Sequence, residues 1–229
     1  MAPSAPLKPK INSVLFDLDG TLLDTAPDLA ATLNAILLNQ HYQPLPLASI
    51  RPTVSEGAAG LLKLGFNITN QDSRLPNLRK QFIEYYGQHI CEHTQLFPHI
   101  DTVIHYLQEN NLPWGIVTNK STTLTTKLLN YFPLLRKAKC IIAGDTLEHS
   151  KPHPKPLLHA CECISCVPEN CVYIGDAKRD IEAANAAKLH SLIALYGYIP
   201  NKEDTKSWKA SGIVDTPLAI IDWLKNSVK

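Results

Sequence analysis

The chain has 229 residues, 45% of them hydrophobic and 19% charged, and 22 basic against 21 acidic side chains leave a net charge of +1. That length allows one large domain or a core with a smaller companion, and the composition excludes disorder and collagen-like repeats. The balance of charge lacks the basic excess of an electrostatic nucleic-acid binder, and no run approaches the ~18 apolar residues of a membrane helix.

Met1 to Lys10 is rich in Pro, Ala and Lys and has no apolar stretch. It reads as a flexible N-terminus without a secretory signal, which makes the cytoplasm the expected compartment. The first short apolar run is Val14-Leu15-Phe16. From about Asp24 to His93 no good strand follows. Pro27 opens a helical pattern with Leu29, Leu33, Ile36 and Leu37. Ser55 is placed to cap a second through Leu61, Leu62 and Leu64. A third runs from about Leu75 to Ile90, with Leu78, Phe82 and Tyr86. These segments predict an inserted helical bundle.

Beyond it, strand-like and helix-like segments alternate. Helical patterns run about Ile100 to Glu109, Thr122 to Asn130, Leu157 to Cys163, Ile181 to Ala187 and Leu218 to Lys225. Between them lie Trp114-Gly115-Ile116-Val117, Cys140-Ile141-Ile142-Ala143, Val172-Tyr173-Ile174, Ser191-Leu192-Ile193-Ala194 and the shorter Gly212-Ile213-Val214. Short unbroken runs suit strands buried on both faces of a parallel sheet. The alternation predicts a doubly wound, Rossmann-like α/β core. The expected division is a flexible stretch 1–10, a core of 11–23 and 95–229, and an all-helical cap of 24–94.

Four of the six cysteines, Cys161, Cys163, Cys166 and Cys171, crowd into eleven positions. Cys163 and Cys166 form a CxxC, which raises a zinc site, but compact zinc sites usually show two such pairs. Cys161 and Cys163 fall in a helical pattern and Cys171 opens a strand. The favoured reading is therefore packing, with cysteine as a small buried hydrophobe.

Polar residues that follow the strands carry the chemistry, because ligands of open parallel sheets bind at the carboxyl ends of strands. The first strand is followed by Asp17-Leu18-Asp19-Gly20-Thr21 and the second by Thr118-Asn119-Lys120. Ser150-Lys151-Pro152 follows the third past a loop, and Gly175-Asp176 follows the fourth, with Asp180 four residues on. Clustered carboxylates need a hard cation between them, for which Mg²⁺ is suited, and an ammonium with hydroxyl donors beside it favours a phosphate. Asp17 is then placed as a nucleophile that forms an aspartyl-phosphate, and Asp19 as its proton-exchanging partner. Gly20 lets backbone amides approach the phosphoryl oxygens. Singly, each has a plainer reading: Asp-Gly as a turn, Lys-Pro as a loop, Thr118-Asn119 or Asp176 as helix caps. His153, between two prolines, reads as a loop residue rather than an acid or base.

Taken together, these four motifs in this order resemble the haloacid dehalogenase superfamily of phosphatases, from about Ser13 onward. The resemblance implies that Asp17 is nucleophile and magnesium ligand, and that Asp19 is general acid/base and offers its backbone carbonyl to the metal. It further implies that Gly20, Thr21, Thr118, Asn119 and Lys151 hold the phosphoryl group, that Asp176 binds magnesium and that Asp180 braces the site or acts through water. The helical insertion is similar to the family's mobile cap. One departure is Lys188, where the family usually has a glycine that closes the helix in a left-handed conformation.

Within the superfamily, Lys151-Pro152-His153-Pro154-Lys155-Pro156-Leu157 and the segment Arg51 to Ala58 resemble the phosphoglycolate-phosphatase-like group. The stretches His93 to Pro98, Leu112 to Lys120 and Tyr196-Gly197-Tyr198-Ile199 resemble N-acetylmuramic acid 6-phosphate phosphatases. The substrate implied is a small phosphorylated carboxylate metabolite, N-acetylmuramic acid 6-phosphate before 2-phosphoglycolate, with Arg51 and Ser55 as the cap residues expected to meet it. No nucleic acid or membrane partner is expected, and the chain is expected to be a monomer or homodimer. A phosphosugar mutase is disfavoured because Leu22 to Leu38 holds no histidine. A dehalogenase is disfavoured by Asp19, and a silent binding protein by the intact Asp17, Asp19, Lys151 and Asp176.

Overall fold

A computed structural model describes residues 10–199 and 201–227, without the side chains of 202 and 203. The flexible N-terminus read for 1–10 thus lies, but for Lys10, outside the described residues. In chain order the strands are β1 (Ser13–Phe16), β2 (Leu23–Asp24), β3 (Gln95–Leu96), β4 (Trp114–Val117), β5 (Ile141–Ile142), β6 (Cys171–Gly175), β7 (His190–Ala194) and β8 (Gly212–Val214). The α-helices are α1 (Ala26–Asn39), α2 (Leu47–Ile50), α3 (Gly57–Phe66), α4 (Leu75–Gln88), α5 (Ile100–Glu109), α6 (Thr122–Leu129), α7 (Lys155–Cys163), α8 (Lys178–Ala186) and α9 (Leu218–Ser227).

Six strands form one sheet in the order β5-β4-β1-β6-β7-β8, every pairing parallel. Side chains alternate across it, as the two-residue period of a strand requires. Leu15, Val117 and Tyr173 pack with Leu157, Ala160, Ala183 and Ala184 of α7 and α8. Val14, Phe16 and Ile174 pack with Ile100, Ile104, Ile220 and Leu224 of α5 and α9. Both faces are covered, so the core is the doubly wound α/β fold that its unbroken apolar runs predict. β1 lies between β4 and β6, with Phe16 level with Ile174, so the chain leaves both strands at the same edge.

α1, α3 and α4 pack on one another through Leu33, Leu37, Leu61, Leu62, Leu78 and Phe82. Two features of this region differ from the sequence expectation. Ser55 does not cap a helix: it lies in a 3₁₀ turn, Arg51–Glu56, and α3 begins at Gly57, whose φ of 69° breaks the path between the two. The two chain crossings at the base of the helices also pair as a short antiparallel ladder, Leu23 with Leu96 and Asp24 with Gln95. Buried Asp28 fastens the crossings further. Its carboxylate accepts from the backbone N–H of His93 and Thr94 and from the Thr94 hydroxyl.

Lys188 closes α8 with φ 60°, its N–H donating to Asn185 O. A left-handed residue with a Cβ is strained relative to glycine. Lys188→Gly should therefore raise stability by about 0.5–1 kcal/mol, read as a higher urea midpoint at unchanged slope.

Candidate active site

The end of β1 is fixed by backbone bonds before any side chain acts. The Asp17 N–H donates to Ile174 O, and the next turn folds back as Gly20 N–H donates to Leu23 O. Asp17 Oδ1 accepts from the Leu18 N–H at 2.8 Å and from Lys151 Nζ at 2.9 Å. Its Oδ2 carries no hydrogen bond among the described residues, and Asp17 lines a cavity of about 450 Å³. Asp19 lines the same cavity, its Oδ1 held by the Thr25 hydroxyl at 2.7 Å and by Lys120 Nζ at 3.0 Å. Gly20 adopts φ 83°, and a Cβ there would come within 2.2 Å of Asp176 Oδ2. The glycine is required by both its conformation and its neighbour.

One oxygen each of buried Asp17, Asp176 and Asp180 lies within 4.8 Å of the other two. Asp180 is fully engaged. Its Oδ2 accepts from the Ala177 N–H at the start of α8, and its Oδ1 meets Lys151 Nζ at 2.8 Å. Asp176 Oδ2 accepts from the Ser55 hydroxyl and the Tyr198 N–H, both at 2.9 Å, but Asp176 Oδ1 is buried with no partner among the described residues. Burial raises the Asp17 carboxyl to about 6 against the pull of Lys151, and the charge of Asp180 adds to the rise. Burial likewise raises Asp176 to about 7, with Asp180 and Asp17 adding to it. Three carboxylates face two close cations, Lys151 and Arg179, so the pocket holds an excess of negative charge. The unpartnered buried oxygen of Asp176, within reach of the Asp17 carboxylate, is a donor that fits a hard, oxygen-seeking divalent cation.

Lys151 is brought to the cluster but sits beneath it. Its fully buried Nζ meets four oxygens, those of Asp17, Asp180, Val117 O and, at 2.5 Å, the Tyr173 hydroxyl. Thr118 and Asn119 line the cavity. The Asn119 amide, however, spans the Lys151 backbone, donating to its carbonyl and accepting from its N–H, and so positions the lysine loop. Thr21 is buried, its hydroxyl without a partner among the described residues, and it does not line the cavity. Neither Thr118-Asn119 nor Asp176 caps a helix: α6 is preceded by Ser121, and Asp180 serves the start of α8.

The helical region closes the cavity from above with Val54, Ser55, Ala58, Arg79, Phe82, Ile83 and Tyr86. Ser55 donates to Asp176, which does not itself line the cavity, and the Ser55 carbonyl accepts from Arg179. Arg51, expected to face the substrate, is turned away. It pairs with Asp24 at 2.7 Å and lies over the Tyr198 ring, outside the cavity. His153 is exposed and stacked on His149. The exposed arginine at the cavity is Arg79, on α4, with no salt bridge among the described residues.

Among the cavity residues with no assigned role from sequence are Arg79, Tyr86, Lys120 and Arg179. Lys120 had a signal, since it directly follows Thr118-Asn119. Its buried ammonium bridges Asp19 and the Tyr86 hydroxyl at 3.2 Å; burial works against its charge, but Asp19 and Tyr86 hold its pKa above the usual lysine value. Arg179 lies between Asp176 and Asp180 in the chain.

The sequence matches the model of the haloacid dehalogenase-like hydrolases across residues 14–194. It is 40% identical over 205 residues to a phosphoglycolate phosphatase of Xanthomonas campestris, covering 90% of this chain and 92% of that one. It is 32% identical over 211 residues to an N-acetylmuramic acid 6-phosphate phosphatase of Pseudomonas putida, covering 92% and 95%. The fold superposes on the crystal structure of a predicted phosphoglycolate phosphatase from Haemophilus somnus with a TM-score of 0.81 at 25% identity, covering 93% of this chain and 97% of that one. Strand-end carboxylates, fold and sequence agree: the chain belongs to the haloacid dehalogenase-like hydrolase family, among its phosphatases.

Proposed function

We propose that the chain is a Mg²⁺-dependent phosphomonoester hydrolase that works through an aspartyl-phosphate on Asp17. The observation that carries this reading is that Asp17 Oδ2 has no hydrogen bond among the described residues, at a cavity that Asp17 and Asp19 both line. Asp17 Oδ2 attacks phosphorus as the ester P–O bond breaks, and Asp19 gives its proton to the departing oxygen. Asp19 then takes a proton from the water that attacks the acyl phosphate, which releases inorganic phosphate and restores Asp17. Lys151 holds Asp17 Oδ1 and so leaves Oδ2 as the reacting atom. Thr118 and Arg179 are the donors offered to the phosphoryl oxygens. Residues 24–94 act as the cap that excludes water. Asp17 and Asp176 would hold the magnesium, which neutralises the phosphoryl charge when bound.

Metal removal should abolish turnover of p-nitrophenyl phosphate in excess EDTA, with Mg²⁺ restoring it; full activity in EDTA would contradict the reading. The raised carboxyls add a pH signature. A carboxyl whose folded pKa lies above its unfolded value takes up protons on folding, so its favourable share of stability is present below about pH 4 and lost as pH rises. For Asp17 that loss is complete above about pH 6 and for Asp176 above about pH 7. Mg²⁺ should therefore raise Tm most above pH 7 and progressively less toward pH 5, where protons hold the same oxygens; a shift independent of pH would count against these ligands.

We further infer that the substrate is a carboxylate-bearing phosphosugar of the N-acetylmuramic acid 6-phosphate type. The volume of about 450 Å³ and the apolar wall of Val54, Phe82, Ile83 and Leu124 support it, since pockets of this size hold drug-sized ligands. Arg79 replaces Arg51 as the residue offered to the carboxylate. Arg79→Ala should raise KM for the phosphosugar roughly 10–100-fold, as for a lost charge-assisted hydrogen bond, and leave p-nitrophenyl phosphate unchanged. The second reading, 2-phosphoglycolate, is favoured by the name of the 40% identical relative. Comparison of kcat/KM on the two compounds at matched Mg²⁺ and pH decides between them.

A further inference from the structure

A second cluster of chemically competent side chains lies on the opposite edge of the sheet from the carboxylates. The sulfurs of Cys161, Cys166 and Cys171 all lie within 4.8 Å of one another. The grouping is not the CxxC that the sequence displays, for Cys163 is exposed and its sulfur turns to His159 at 3.8 Å. The fold builds the triangle by two separate devices. The first is the end of α7, where Ser165 takes φ 56°, its N–H donates to Glu162 O, and the Cys166 N–H donates to Cys161 O at 2.9 Å. This is the Schellman arrangement, which brings the residue just past the helix against one in its last turn. Apolar residues usually fill those two positions; here both are cysteine. The second device is β6, whose first residue, Cys171, delivers the third sulfur from the sheet.

We propose that Cys161, Cys166 and Cys171 form a binding site for one thiophilic d¹⁰ cation, Zn²⁺ or Cu⁺. Packing alone asks these positions for volume and would be met by Ala or Val; it does not ask three sulfurs to converge on one point. Soft thiolates select these ions, and sulfurs around a single such ion stand at separations of this order. Ligation releases the thiol protons to solvent and changes no oxidation state. Cys161 and Cys171 are buried and Cys166 is half-buried, so the ion enters past Cys166 into a surround of Leu15, Leu157 and Ile164, with the half-buried Cys140 packed against the same cluster. Five residues of extended strand separate Cys171 from Asp176, roughly 16 Å, so the site is independent of the catalytic carboxylates.

The test uses the full chain, fully reduced, with excess Mg²⁺ present to occupy the carboxylate site. Co²⁺ serves as the spectroscopic stand-in for Zn²⁺, read by its near-ultraviolet thiolate charge-transfer band, with Zn²⁺ then displacing it. Cu⁺ uptake is read by competition with a coloured Cu⁺ chelator. One equivalent of either ion per chain is expected. Cys166→Ser should weaken binding at least about 100-fold, beyond the 10–100-fold that loss of an outer partner costs, and Cys161→Ala should do the same. Cys163→Ser should bind as the parent does. Mg²⁺-dependent p-nitrophenyl phosphate turnover, kept by all three variants, shows that they fold. Stoichiometric uptake of either ion supports the site. Absence of stoichiometric uptake of both ions, full binding by Cys166→Ser, or equal loss in Cys163→Ser overturns it.

Discussion

Asp17→Asn lowers kcat/KM by at least about 10⁴-fold, for good and poor leaving groups alike, because an amide oxygen cannot form the acyl phosphate. The fold should survive the change. Asp17 is ionised at a cost, in a pocket that already holds Asp176 and Asp180, so its neutral isostere relieves repulsion while Asp180 keeps Lys151 paired. Thermal unfolding without Mg²⁺ should show Tm unchanged or higher than in the parent. The stabilisation that Mg²⁺ gives the parent should shrink, because one of its two carboxylate ligands is gone. A variant that retains more than a few per cent of activity would remove Asp17 from the reaction.

Asp19→Asn lowers turnover by roughly 10²–10⁴-fold, the usual worth of a positioned acid or base, and its loss depends on the substrate. An alkyl phosphate needs a proton on its departing oxygen and should suffer the full effect. p-Nitrophenyl phosphate leaves without one, so phosphoryl transfer to Asp17 should proceed and hydrolysis of the phosphoenzyme should become limiting. A burst of p-nitrophenol followed by a slow steady state, with ³²P retained on acid-quenched protein, is the expected record. An equal loss on both substrates, with no burst, would assign Asp19 to structure. Its bonds to Thr25 and Lys120 make that alternative concrete, and Lys120→Met is the control that removes the second bond while leaving Asp19 itself.

The core was legible because its strands are buried on both faces and its helices show one apolar stripe. Trp114–Val117 and Gly212–Val214 match the apolar runs residue for residue, and α5 spans Ile100–Glu109 as its pattern predicts. The ladder of Leu23–Asp24 with Gln95–Leu96 was not legible, since two-residue strands carry no period and their pairing spans the whole helical region. Ser55 was misplaced for a related reason. Its local context, Ser-Glu-Gly before an apolar run, is that of a helix cap, while its partner Asp176 is 121 positions away. The convergence of Asp17, Asp176 and Asp180 was legible from their places after the strands: Asp17 directly follows β1, Asp176 directly follows β6, and Asp180 stands in the first turn of the helix beyond it. Arg51 and Arg79 show where that logic stops. Both are arginines of the helical region, and only the positions of Asp24 and Tyr198 turn one away from the cavity while the other lines it.

The central claim is that Asp17 receives the phosphoryl group. Beryllium fluoride with Mg²⁺, a mimic of an acyl phosphate, followed by a crystal structure of the trapped protein tests it at atomic level. The expected result is a fluoroberyllate bonded to Asp17 Oδ2, with Mg²⁺ touching Asp17 and Asp176 and Lys151 still on Oδ1. An adduct on Asp19, Asp176 or any other residue, or a mimic bound with no bond to a carboxylate, would contradict the account.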